Sequence, residues 1–190
     1  MKLVGFLSCV LLALILLAPS MQDLSAQEKP SETRRKIVVQ PVPDLSDVRR
    51  VSYAKTHSGL PVPRYVSLKY SRVNARKGPS LSYPVSWQYQ RQGLPLVVVA
   101  EMDIWRKVRD INGDESWIRT PQLTGQRRAI AIGETDLFKK PTITAGTRAI
   151  IPAGTILELE DCSSEGWCEV QASGRKGWVE RDMIWGDDAL

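Results

Sequence analysis

Few side chains in this 190-residue sequence could carry out a reaction, and their spacing does not suit one. His57 is the single histidine. Ser–His and Cys–His nucleophile pairs and His-based metal sites are therefore unavailable to whatever folds beyond it. Adjacent carboxylates occur at Asp114-Glu115 and Asp187-Asp188. Acid–base work by two carboxylates needs them on either side of a water-excluding cleft. The first pair falls in a turn and the second in the C-terminal tail. The sequence assigns no catalytic residue, no metal ligand and no cofactor, and it argues against an enzyme.

Cysteine is the other reactive type. Cys162 and Cys168 flank Ser163-Ser164-Glu165-Gly166-Trp167, a stretch that reads as a hairpin tip and would set the two thiols opposite each other. Five intervening residues is not the spacing of a thioredoxin-type redox pair, and no histidine or further cysteine lies close enough to complete a metal site. A structural disulfide is the expectation. Closing so short a loop stabilises by about 2–2.5 kcal/mol through the unfolded chain.

That pairing presumes an oxidising compartment, and the N-terminus points to one. Lys2 precedes an almost unbroken apolar run from Leu3 to Ala18, and a less apolar region ends at Leu24-Ser25-Ala26. Residues 1–26 have the plan of a secretory signal peptide, with Ala18-Pro19-Ser20 as a competing cleavage site. An uncleaved membrane anchor is the alternative, although sixteen apolar residues are short for a spanning helix. Leu7-Ser8-Cys9 is not a lipoprotein box, because almost no apolar run precedes it. The expected location is the periplasm or cell envelope. Membrane contact is expected only through the signal segment, if it stays uncleaved.

Residues 27–58 carry three prolines, several charges and few large apolar side chains, and read as a flexible linker. Asp44 to Lys55 could form one weak helix within it. From residue 59 onward short alternating segments are separated by Gly, Pro and Asn turns. Asn112-Gly113, between the runs at Trp105 and Trp117, is a strong hairpin signal. Landmarks then recur 61 or 62 residues apart: Pro79 and Pro141, Gly93 and Gly154, Trp105 and Trp167, Gly113 and Gly174, Trp117 and Trp178, Gly125 and Gly186. No stretch shows sustained helical periodicity. The chain is expected to be all-β, with a first domain over 59–125, a second over 126–187 and a tail at 188–190.

The segments Val73-Asn74, Arg76, Gly78-Pro79, Gly93, Trp105-Arg106-Lys107-Val108 and Trp117-Ile118 resemble the bacterial SH3-like domain family. The second unit keeps Trp167-Cys168-Glu169-Val170 and Gly174-Arg175-Lys176-Gly177-Trp178-Val179 but lacks the Asn-x-Arg-x-Gly entry, and Ser116 stands where the pattern has Gly. The runs 58–68 and 105–125 are similar to an exported tandem two-repeat subfamily common in alphaproteobacteria. The resemblance implies two small, partly open SH3-like β-barrels without enzymatic activity, binding cell-wall glycan or peptide or a periplasmic protein.

Trp105, Trp117, Trp167 and Trp178 recur in both units and read as core or rim of the barrels. Tyr83, Trp87 and Tyr89 are specific to the first unit, which has Thr144, Arg148 and Ile150 as counterparts in the second. With Arg76, Lys77 and Arg106 they form the candidate binding groove, an aromatic floor with a basic rim. Residues 64–125 carry ten basic and five acidic side chains, while 126–190 carry eight and eleven. Strand alternation sends Arg106 and Val108 to one face and Lys107 and Arg109 to the other, so no basic stripe for nucleic acid forms. Opposite net charges also allow a structural role, with the two units packed as one block or paired in a homodimer.

Overall fold

The computed structural model describes residues 43–52 and 55–187. The signal assigned to 1–26, the first part of the linker, the tail at 188–190 and Cys9 lie outside the described residues. The folded part contains fourteen strands and no α-helix among the described residues. The first seven are β1 (Arg64–Leu68), β2 (Val73–Arg76), β3 (Val85–Tyr89), β4 (Pro95–Met102), β5 (Trp105–Arg109), β6 (Glu115–Arg119) and β7 (Leu123–Thr124). The second seven are β8 (Arg128–Ala131), β9 (Thr135–Phe138), β10 (Thr147–Ile151), β11 (Ile156–Cys162), β12 (Trp167–Ala172), β13 (Arg175–Glu180) and β14 (Ile184–Trp185).

Each set makes one antiparallel sheet, ordered β3-β2-β6-β5-β4-β1-β7 and β10-β9-β13-β12-β11-β8-β14. The order is the same in both, so the repeat read from the landmarks is a repeat of topology. Each sheet curls around its own apolar core, with Leu68, Val73, Leu96, Val98, Val108 and Ile118 in the first and Leu137, Ile151, Leu157, Val170 and Val179 in the second. The edges remain unjoined, which is the small, partly open barrel that the resemblance implied. Tight turns need left-handed backbone at equivalent places, and glycine supplies it at Gly113 (φ 87°) and Gly174 (φ 76°).

The longest hairpin in each barrel bends at a bulge, between Val98 and Ala100 in β4 and between Leu159 and Asp161 in β11. Beyond the bulge a side-chain pair links the two strands at an equivalent register position in each barrel. In the second barrel it is Cys162 and Cys168, register partners joined by a disulfide with their Cα atoms 4.0 Å apart. In the first barrel the same position is held by Glu101 opposite Arg106, with Glu101 Oε1 3.2 Å from Arg106 Nε. The disulfide read from spacing is therefore present, and its counterpart is an ion pair.

Residues 43–52 and 55–58, placed by sequence in the flexible linker, instead lie against the first barrel. Val51 bridges Val62, and Val48, Val51 and Val62 close over the barrel core. Asp47 accepts two hydrogen bonds from Arg109 at 2.7 and 2.8 Å, and Ser58 donates its N–H and hydroxyl to Glu101 at 3.0 and 2.8 Å. The weak helix expected from Asp44 is absent from 43–52, where Asp44 caps a turn through Ser46 instead. Apolar burial and these charged hydrogen bonds outweigh the polar, proline-rich composition that suggested a free tether.

A third apolar cluster joins the two barrels. Val97 of β4, Ile130 of β8 and Trp185 of β14 are buried together, with Tyr65, Leu94, Val99 and Ile132 packed around them. The Tyr65 and Trp185 rings meet edge to face at 5.3 Å. Strand β4 is thus covered on both sides, Leu96 and Val98 facing its own core and Val97 the neighbouring barrel. That explains its unbroken apolar run. Its counterpart β11 has one face toward solvent and alternates Leu157 and Leu159 with exposed Glu158 and Glu160.

Two outcomes follow. Replacing Cys162 and Cys168 together by serine should lower stability in chemical denaturation by about 2 kcal/mol or more, since the serine hydroxyls add a burial cost at position 168. Trp185→Ala should cost about 3–5 kcal/mol and separate the unfolding of the two barrels into distinct transitions. An unchanged single transition would show that the Trp185 cluster does not couple them.

Candidate functional site

The first barrel divides the six predicted groove residues into two groups. Arg76 ends β2, and its guanidinium donates to the carbonyls of Leu81 at 3.2 Å and Tyr83 at 2.7 Å. This fixes the loop from Lys77 to Pro84 that joins β2 to β3. The Tyr83 ring lies so close over Gly78 that a Cβ there would meet it at 2.6 Å. The loop consequently presents Leu81 (63% exposed), Tyr83 (45%) and Val85 (43%) to solvent. Lys77 is exposed beside them, and Trp87 is half-buried on β3.

Tyr89 and Arg106 do not belong to this surface. Tyr89 is buried and donates its hydroxyl to Asp110 Oδ2 at 3.1 Å, and its ring meets Trp87 edge to face at 6.0 Å. The other oxygen of Asp110 accepts the N–H groups of Asn112 and Asp114 at 2.9 and 3.1 Å. Tyr89 thus anchors the Asn112-Gly113 turn from inside. Burial, followed by the nearby Asp110 charge, pushes the Tyr89 hydroxyl well above the usual tyrosine range, so it stays protonated as a donor. Burial likewise raises Asp110, against the hydrogen bonds that lower it. Arg106 is 6% exposed and cannot form a rim. The pleat that carries Val108 inward carries Arg106 inward too. The repeat comparison is also off by one residue at β3: in strand register Trp87 and Tyr89 answer to Ala149 and Ile151.

Arg106 belongs instead to a buried charge cluster. Glu101 sits between Arg106 and Arg64, with Ser58 donating to both carboxylate oxygens. The remaining Arg106 N–H groups reach the carbonyls of Asp103 and Trp105 at 2.8 and 2.9 Å. Burial opposes the charge on Glu101, but hydrogen bonds from Ser58 and Arg64 outweigh it and hold the carboxyl below its ordinary value. Cations elsewhere are likewise engaged. Lys107 and Arg109 pair with Glu115, Arg109 also with Asp47, and Arg128 with Glu158.

Of the recurrent tryptophans, Trp105 is buried, while Trp117, Trp167 and Trp178 are half-buried on the outer faces of their sheets. Trp167 packs edge to face on Phe138 at 5.5 Å. Two surface hollows lie beside the second pair. One, of about 540 Å³, is lined by Trp167 with Glu165, Glu180, Asp182 and the Arg181–Asp187 ion pair. The other, of about 720 Å³, is lined by Trp178 with Lys139 and the strand residues Arg148, Arg175 and Lys176. A third, of about 630 Å³, is bounded by Tyr70, Gln92 and Arg128 where the barrels meet. Sequence reading missed Trp185 and the basic hollow. The signal was available: Trp185 faces Thr124 across the repeat, and Arg175-Lys176 faces Asp114-Glu115.

This arrangement has binding surfaces and no grouped reactive side chains; among the described residues, no three His, Cys, Asp or Glu side chains gather as metal ligands would. The family model of the bacterial SH3 domain matches the chain twice, at residues 69–125 and 133–186, and the chain belongs to that family. Curated proteins yield no match. Two solved structures, NlpC2 and NlpC1 from Trichomonas vaginalis, are similar at 16% and 17% identity, each with a TM-score of 0.32. Each covers 66% of this chain, and the matched part is 49% and 46% of those proteins, so the chain spans less than half of their length.

The buried Glu101 makes acid sensitivity specific. A carboxyl held low in the folded state contributes stability that is full above its unfolded value and is lost as pH falls through the folded one. Glu101→Gln leaves two arginines without their counter-charge and should cost about 3 kcal/mol near pH 7. The gap between wild type and variant should narrow in denaturant titrations repeated toward about pH 3. A gap independent of pH would mean that the charge of Glu101 contributes nothing.

Proposed function

We propose that this chain is a non-catalytic, exported binding module of the cell envelope that recognises peptidoglycan or a periplasmic protein through the β2–β3 loop of its first barrel. The observation that carries this reading is the loop itself. Leu81, Tyr83 and Val85 are exposed apolar side chains on a segment that Arg76 holds in one conformation through two carbonyls. A pre-ordered apolar surface binds without the entropy cost of ordering a mobile one. Lys77 and the half-buried Trp87 extend the surface toward a polar or anionic neighbour. The signal-like N-terminus and the Cys162–Cys168 disulfide support export.

The alternative is a scaffold role in which the two barrels act as one block or in a homodimer, without glycan. The apolar cluster around Trp185 favours the block.

The two readings separate by sedimentation with purified peptidoglycan. Binding through the loop predicts retention of the wild-type chain and a drop of about tenfold or more for Tyr83→Ala and Trp87→Ala. Equal retention of all three proteins rules out this loop. If peptidoglycan retains none of them, crosslinking in the living envelope should capture a protein partner at Tyr83, and failure of that capture leaves the scaffold reading.

A further inference from the structure

The basic hollow of the second barrel lies between the β9–β10 loop and the β12–β13 hairpin. Lys139, Arg148, Arg175 and Lys176 line it, Trp178 forms part of its wall, and Glu169 is the single carboxylate among the lining residues. Lys176 pairs with Glu169 at 3.2 Å. Lys139, Arg148 and Arg175 have no carboxylate partner among the described residues. These three cations gather in the half of the chain that carries an excess of acidic side chains, eleven against eight. Composition therefore does not account for them.

The fold does not account for them either, because the first barrel supplies an internal control. In strand register Trp178 answers to Trp117, and Glu169 and Lys176 answer to Lys107 and Glu115. The cross-strand ion pair is kept with its signs exchanged. Arg175 answers to Asp114, and Arg148, the extra residue at the bulge between Thr147 and Ala149, answers to Ser86. The same strand order thus forms with Ser and Asp at these places. Like charges held around a hollow repel one another, and a bound anion relieves that repulsion. A flat indole wall with cations spaced around it matches a ring with an apolar C–H face and charged substituents at its edge.

We propose that this hollow binds an acidic saccharide chain, with Trp178 against the apolar face of a sugar ring and Lys139, Arg148 and Arg175 holding its carboxylate or phosphate groups. The proposal does not depend on the loop of the first barrel.

The test titrates the full chain with four probes: oligogalacturonate, phosphomannan fragments, neutral dextran and oligoglutamate. Binding to oligogalacturonate, to phosphomannan or to both, weakening as salt is raised, is the expected result, and the two distinguish carboxylate from phosphate recognition. Arg148→Ser and Arg175→Asp, the residues that the first barrel carries there, should each weaken it about tenfold or more with unchanged thermal unfolding. Trp178→Ala should weaken it as well, and if that variant does not fold, the two charge variants decide. Tyr83→Ala should leave it unaltered. No binding of either charged saccharide, equal binding of dextran, charge variants that bind like wild type, or oligoglutamate bound as tightly as the saccharides would each overturn the proposal, the last in favour of an acidic protein partner.

Discussion

The structure depends on holding together the far end of a bent hairpin. In both barrels the longest strand, β4 or β11, passes a bulge and continues as an edge strand, paired there only with β5 or β12, which are themselves paired with β6 or β13. An edge strand has a ladder on one side only, and the bulge interrupts it. A side-chain pair past the bulge reinforces that edge. The second barrel does this covalently, with Cys162 and Cys168. The first does it with Glu101 and Arg106, and the consequences spread from there. A buried carboxylate between two guanidiniums needs its remaining lone pairs occupied, and Ser58 occupies them. The segment before β1 is thereby drawn onto the barrel, where Val48, Val51 and Val62 find an apolar seat. A disulfide leaves no charge to satisfy and recruits no such segment.

The same logic recurs at two other equivalent positions. Tyr89 and Asp110 form a buried polar pair in the first barrel, and their counterparts Ile151 and Ala172 lie in the apolar core of the second. Gly177 is obligatory in the second because a Cβ there would meet Leu137 Cγ and the Phe138 carbonyl at 2.7 Å. In the first, Ser116 stands at the place of Gly177 and the smaller Ala75 at that of Leu137. What these positions share is a pair of residues that fills the space together, even where a polar atom such as the Ser116 hydroxyl is buried without a hydrogen-bond partner. The chemistry of the pair is free to change, provided that both members change together.

This is also why some of the molecule was legible in the sequence and some was not. Turns and strand periods are local, so Asn112-Gly113, the recurring tryptophans and the spacing of Cys162 from Cys168 gave the topology and the disulfide. Burial of polar residues is not local. Tyr89 and Arg106 looked like groove residues because aromatic and basic side chains are usually exposed when nothing nearby explains them. Their explanations, Asp110 and Glu101, become neighbours only after β3, β4 and β5 pair. The continuous apolar run of β4 is the mark of two-sided burial, and Trp185, standing where the first unit has Thr124, marks the other side, but neither was read so from the sequence. The two signals had to be combined before the contact between barrels could be read.

The matched-pair rule bears on where ligands can act. A charge that completes an internal pair is committed, and a partner that competed for it would have to break the fold at that point. The first barrel commits five of its ten cations in this way: Arg64 and Arg106 to Glu101, Lys107 and Arg109 to Glu115 and Asp47, Arg76 to its own loop. Its net positive charge therefore overstates what it can offer a ligand. The second barrel is acidic in sum, yet it leaves cations unpaired around Trp178. Net charge and available charge thus have opposite signs of usefulness in the two halves. Duplication of one barrel, followed by different pairings within each copy, is enough to produce two chemically distinct surfaces on a single fold.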